Sequence, residues 1–321
     1  MVHMNRKNVT HILAILLCAM YFATTMAAAV YYNSYTKIAT IPNGNNCNRA
    51  QGFTAGSTYL YSAKINNDES KQVIYRTRQD DGTTVLMTNG DTNTTYTTYL
   101  GHANDLVTTN IGGDNCLFVA TMKFGEESIV KLNYSGKTYY KEGNYNIKYE
   151  GRELRIGALE ILEKTATDIE FLFFAWPGDN TGVSFYRGRI GVNDNSGVVN
   201  VTHAFDINLT DAKVNGSPVD NILEYRHQGI GYKIGTDRLY VPLTYENISI
   251  VLVYDNISTA TGTIYASDDL SFRITSSAFP TLFEIESIDN ANGKLWFNCN
   301  RKKTSTDIAN DAICYFNDYT P

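Results

Sequence analysis

Leu100-Gly101-His102-Ala103-Asn104-Asp105-Leu106 has a polar, side-chain-rich start and leads through a glycine-containing turn into the apolar run Cys116-Leu117-Phe118-Val119-Ala120. That form recurs along the chain. Gln51-Gly52-Phe53 precedes Tyr59 to Ile65 and then Val73 to Arg76. Gly157 to Ile161 precedes Ile169 to Ala175 and then Val183 to Arg187. His227 to Gly231 precedes Leu239 to Leu243 and then Ile248 to Tyr254. Phe283 to Ile288 precedes Lys294 to Cys299 and then Ala312 to Phe316. With Gln51, Asn104, Ala158, Gln228 and Glu286 as equivalent points, the spacings are 53, 54, 70 and 58 residues. A period near 50 residues with three or four short strands per unit is the signature of a propeller. The long interval contains Val192 to Leu223, a polar insertion that reads as a hairpin and a loop. A sandwich or jelly roll would space its strands as evenly but would not repeat an inner-strand motif.

Composition agrees with an all-β chain. Hydrophobic residues make up 43% and charged residues 19% of 321 residues, which suits a packed core. Tyr and Thr concentrate in short runs separated by Gly, Asp and Asn clusters, and Asp80-Asp81-Gly82 and Asn292-Gly293 read as hairpin turns. The reading is an all-β, five-bladed β-propeller over residues 30–321. The segment Tyr31 to Ile41 adds the outermost strand of the last blade, so that both chain ends share one sheet and no edge is left open.

Residues 1–29 read as a signal peptide. Arg6 and Lys7 form a basic start, Ile12 to Met20 a short apolar core, and Met26-Ala27-Ala28-Ala29 a small-residue cleavage site. The apolar run is shorter than the roughly 20 residues a spanning helix needs. The expected location is secreted or cell surface, with no transmembrane span in the mature chain. Loss of Arg6 and Lys7 takes the net charge from −6 to −8. That balance argues against a nucleic-acid partner, since phosphate contact needs clustered cations. The one basic run, Arg301-Lys302-Lys303, reads as a solvated loop.

Four cysteines remain beyond the leader: Cys47, Cys116, Cys299 and Cys314. They allow three pairings, or four buried free thiols. Cys299 and Cys314 lie on successive predicted strands and form the first expected disulfide. No pair has zinc-site spacing, and no metal or cofactor is expected.

In a propeller the polar starts of the inner strands meet around one axis. The gathered set is Gln51, His102, Asn104, Asp105, Glu160, His227, Gln228, Glu284 and Glu286, expected to be ligand-binding. Acceptors, amides and imidazoles suit sugar hydroxyls, which donate and accept hydrogen bonds, and Tyr side chains and Trp176 offer flat faces. The same residues also serve a purely structural purpose wherever a narrow channel must satisfy its backbone groups, and Gly52 and Gly229 read as points of backbone crowding. An enzymatic alternative is a secreted glycoside hydrolase using Asp105 with Glu160 or Glu286. Glu284 and Glu286 share one strand face and are not opposed across a substrate. No nucleophile motif and no phosphate-cradling glycine loop is present.

The motifs resemble a family. Gln51-Gly52-Phe53 with Tyr59-Leu60-Tyr61, the Leu100 to Leu106 segment, Gln228-Gly229-Ile230 with Arg238 to Val241, and Glu284 to Ile288 with Gly293 to Trp296 are similar to the five-bladed propellers of teichoic-acid-associated proteins and of receptor-binding proteins of phages of Gram-positive bacteria. Helveticin-type bacteriocins share the blade plan. The likeness covers about residues 40 to 321. Ser287 stands where the family has Gly, and Gln51 stands where furanosidase propellers carry an acid. The resemblance implies a non-catalytic secreted propeller that binds cell-wall glycan, teichoic acid or another extracellular carbohydrate through its polar central face. A helveticin-like bacteriocin is the other reading it implies.

Overall fold

The computed structural model describes residues 34–175, 183–307, 310–317 and 319–321. Residues 1–29, expected to form a signal peptide, and Trp176 lie outside the described residues. The chain is all-β with a propeller arrangement. Among the described residues it forms five sheets of four to seven strands and one two-stranded hairpin. The innermost strands are Arg49–Ala55, Asp105–Ile111, Ile156–Lys164, Gly231–Lys233 and Leu282–Ala291. Each touches the next in that order, and the last touches the first.

Five apolar clusters sit between neighbouring sheets and explain why the strands are nearly continuous in apolar residues. One joins the third and fourth sheets through Phe174, Phe185 and Phe205, with Leu239 and Leu252. Another joins the fifth to the first through Trp296, Phe53 and Leu60. A strand buried on both faces cannot alternate polar and apolar residues along its length, and Phe171 to Ala175 is buried throughout.

The first and last strands among the described residues share one sheet. Tyr35–Thr40 pairs antiparallel with Ala312–Phe316, which pairs with Lys294–Lys302. A buried ion pair fixes this closure to the first sheet. Lys64 Nζ lies 2.7 Å from Asp311 Oδ2, both side chains are fully buried, and the same carboxylate accepts the Ala50 amide at 3.0 Å. Burial lowers the Lys64 pKa and raises that of Asp311, while their mutual attraction opposes both shifts. Lys64→Met leaves Asp311 charged and uncompensated. It is expected to cost about 3–5 kcal/mol, measured by urea denaturation.

The structure differs from the sequence reading at several points. The insertion after Val192 is more than a hairpin and a loop. It supplies Thr202–Asn208, the fourth strand of the third sheet, and Gly197–Asn200, which pairs in parallel with Thr138–Tyr149 of the second. The inner strand of the second unit begins at Asp105, since positive φ at Gly101 (57°) and Ala103 (49°) makes Leu100 to Asn104 a turn. Cys299 and Cys314 form no disulfide: both are free and buried. Cys299 is in register with Ala312 and Cys314 with Phe297, so the two are diagonal rather than opposed. Burial raises the Cys299 thiol pKa well above its usual value, and the neighbouring Cys314 thiol adds to the rise.

Candidate functional site

The inner-strand starts open into a central pocket of about 720 Å³. Two glycines allow the strands to converge there. A Cβ on Gly52 would lie 2.7 Å from the Ala103 carbonyl, and one on Gly229 would lie 2.6 Å from both Asp105 Oδ1 and Ser287 Oγ. The Gly52 and Gly229 amides cross to the Ala103 and Glu286 carbonyls, each at 2.8 Å.

Seven of the nine sequence candidates line this pocket: Gln51, His102, Asn104, His227, Gln228, Glu284 and Glu286. Asp105 and Glu160 do not. Asp105 is fully buried below the pocket. It accepts the Leu106 amide at 3.0 Å, the Leu159 and Ile230 amides at 3.2 Å, and a contact from Ser287 Oγ at 2.7 Å. One carboxyl therefore ties strands of four sheets. Burial raises its pKa well above the usual range despite these bonds. Glu160 is buried beside Asp105 and Asp289, and burial with those two charges raises its pKa as well. Asp289 accepts Thr54 Oγ1 at 2.9 Å and the Ala55 amide at 2.7 Å, and burial pushes its pKa up to about 6. These three carboxyls form the plug beneath the pocket. The expected hydrolase pair of Asp105 with Glu160 or Glu286 is not assembled there.

The pocket's own acids are Glu284 and Glu286. A β-bulge between Ile285 and Ser287 makes Glu286 the extra residue of its strand, and Glu284 and Glu286, two residues apart, both line the pocket. Gln228 Nε2 donates to Glu284 Oε1 at 2.9 Å, and Asn300 Nδ2 donates to Glu286 Oε1. Burial raises the Glu286 pKa well above the usual range, and the charge of the hydrogen-bonded Glu284 adds to the rise. Of the two, Glu286 is the carboxyl whose surroundings favour the protonated form.

The remaining pocket residues divide into holders and open groups. Asn104 Nδ2 is spent on the Gly157 carbonyl at 2.7 Å. His102 Nδ1 pairs with Glu69 Oε1 at 2.8 Å, not with Asp105. Among the described residues, Gln51 Oε1 and His227 Nδ1 are buried without partners. Burial lowers the His227 pKa to about 4, so its imidazole is neutral at physiological pH. Sequence reasoning missed Arg49, Arg226 and Asn300, and also the apolar wall of Met122, Val183, Leu209 and Leu223. Asn300 had a signal: Asn298 and Asn300 alternate in a strand that is otherwise apolar from Leu295 to Cys299. Among the described residues no group of three or more His, Cys, Asp or Glu is disposed to hold a metal ion, and no helix is long and apolar enough to cross a membrane.

No family model and no curated protein sequence matches the chain. Solved structures similar to it include an exo-β-1,3-galactanase from Phanerochaete chrysosporium at 10% identity and TM-score 0.46, covering 89% of this chain and 63% of that one. The chain thus spans under two thirds of the galactanase. Others are a GH43_1 enzyme from Xanthomonas citri (9% identity, 88% and 91% coverage, TM-score 0.46) and an endo-arabinase from Bacteroides thetaiotaomicron (14%, 87% and 98%, 0.47). The expectation of a non-catalytic carbohydrate-binding propeller is corrected at this point. The solved structures that the chain resembles are glycoside hydrolases, each at 14% identity or below.

Proposed function

We propose that the chain is a five-bladed propeller glycoside hydrolase acting outside the cell, with a glycan seated in the central pocket. The observation that carries the reading is the Glu284–Glu286 pair lining the central pocket, in which burial and the neighbouring Glu284 favour the protonated form of Glu286. A group that keeps its proton at neutral pH is what protonation of a leaving glycosidic oxygen needs.

Proton transfer from the pair cleaves the C–O bond and leaves the pair fully charged. The Gln228 and Asn300 amides and the Arg49 guanidinium offset that charge. Water adds to the anomeric carbon and passes its proton to the His227 imidazole, which has the basicity of an ordinary carboxylate. The two glutamates touch, whereas paired carboxyls lie about 5–5.5 Å apart in retaining enzymes and about 6.5–9.5 Å apart in inverting ones. They therefore act as one acid, and the reaction follows a single displacement with inversion. The apolar wall of Leu209, Leu223 and Val183 faces the less polar side of the substrate.

The test is release of reducing ends from a panel of furanosides, pyranosides and purified wall glycans, with anomeric configuration followed by NMR. Release with inversion is the expected result. Glycans that bind in the pocket and are never cleaved would overturn the reading.

A further inference from the structure

The Arg301-Lys302-Lys303 run does not form a solvated loop throughout. Arg301 belongs to the strand Lys294–Lys302 and is only 4% exposed. Its Nε donates to the Asn310 carbonyl at 2.8 Å, and its guanidinium lies 4.3 Å from the centre of the Phe279 ring. Among the described residues it has no ion-pair partner, although the chain carries an excess of acids. The buried Asp311 acts on it only from a distance and is itself paired with Lys64, so no carboxylate touches the guanidinium, which is unfavourable for a buried cation unless something else supplies the negative charge.

Arg301 faces a cleft of about 440 Å³ between the fourth and fifth sheets, away from the central pocket. Tyr35 and Lys37 on the closing strand form one wall, and Ser276 and Ser277 another. The Tyr35 and Ser276 hydroxyls are 3.1 Å apart. One hydroxyl hydrogen is used between them and the other is left to donate. The exposed Lys37 stands at the mouth, and Lys303 lies 5.9 Å from the Phe279 ring. Among the described residues, no acidic side chain lines the cleft.

We propose that this cleft binds a tetrahedral oxyanion, a phosphate or sulfate group, either free or esterified to a glycan. Guanidinium, hydroxyl and ammonium donors approach from three sides, which suits an anion with three or four acceptor oxygens better than a planar carboxylate. The site shares no residue with the central pocket and does not depend on hydrolysis there.

Calorimetric titration of the full chain with inorganic phosphate, sulfate, a sugar phosphate, its neutral parent sugar and acetate tests this. Saturable binding of phosphate or sulfate is expected, weakened about tenfold or more in Arg301→Gln and several-fold in Lys37→Gln. Lys37 is exposed, so its variant remains informative if Arg301→Gln fails to fold. Tighter binding of the sugar phosphate than of inorganic phosphate assigns the anion to a glycan, and equal binding assigns it to the free ion. No binding by the wild type, equal binding by Lys37→Gln and wild type, or equal binding of the neutral sugar overturns the proposal.

Discussion

Asp105→Ala is expected to lower the unfolding free energy by roughly 3–5 kcal/mol, seen as a lower urea midpoint at an unchanged slope. Alanine leaves the amides of Leu106, Leu159 and Ile230 and the Ser287 hydroxyl contact without their shared partner, in a place water does not reach. Each orphaned buried group costs about 1–3 kcal/mol, and partial relaxation keeps the total below the sum. Asp105→Asn keeps an acceptor for Leu159 and Ile230, and costs no more than about 1–2 kcal/mol. The neutral side chain suits the site because Ser287 Oγ also reaches the Phe53 carbonyl at 3.2 Å. If the serine gives its hydrogen there, a protonated Asp105 supplies the one in the 2.7 Å contact. The sign with pH follows. A carboxyl whose folded pKa is raised binds a proton in the folded state that the unfolded state has lost. Its stabilising share is full below the ordinary carboxylate value of about 4 and falls as pH rises above it. For Asp289 that window runs to about 6, and Asp105 and Glu160 extend it. Asp105→Asn should therefore make the decline of stability with rising pH shallower than in the wild type. An Asp105→Ala protein within about 1 kcal/mol of the wild type would show that the carboxyl ties nothing together.

That residue also marks the boundary of what the sequence discloses. The recurring polar starts were legible because residues at equivalent blade positions must converge, whatever their spacing. Depth was not legible. Asn104 and Asp105 are adjacent in sequence, yet the turn at Gly101 to Ala103 sends the first to the pocket and the second into the plug. Their fate depends on a backbone conformation that alanine rarely adopts, so no residue type announced it. Glu284 and Glu286 were correctly read as sharing one strand face. The bulge that makes Glu286 the extra residue of its strand was not legible, because it is an irregularity without a period. The disulfide expectation failed for a related reason: successive strands were recognised, but register decides whether two cysteines oppose each other, and here they are offset by two residues. Arg49 and Arg226 precede the recognised motifs by one or two positions, and were passed over because a basic side chain before a strand start is ordinarily solvated.

The largest functional effect belongs to Glu286. Hydrolysis is expected to follow a bell-shaped pH profile, with an acid limb near pH 4, where His227 gains a proton and ceases to be a base. The alkaline limb lies at the raised pKa of Glu286, where the acid loses its proton. Glu286→Gln removes the proton donor, keeps the amide geometry, and should reduce kcat about 10²–10⁴-fold. Glu284→Gln gives a sharper test. The charge of Glu284 is second only to burial in raising the Glu286 pKa, so a neutral amide at that position lets the pKa fall. The alkaline limb should then move to lower pH while the acid limb stays with His227. His227→Gln should abolish the acid limb and leave the alkaline one. A merely structural pair would instead lower activity evenly across pH, because loss of folded protein scales the whole profile without moving either limb. A Glu286→Gln enzyme with wild-type kcat, or an alkaline limb unmoved by Glu284→Gln, would remove this pair from the chemistry and leave the pocket without its acid.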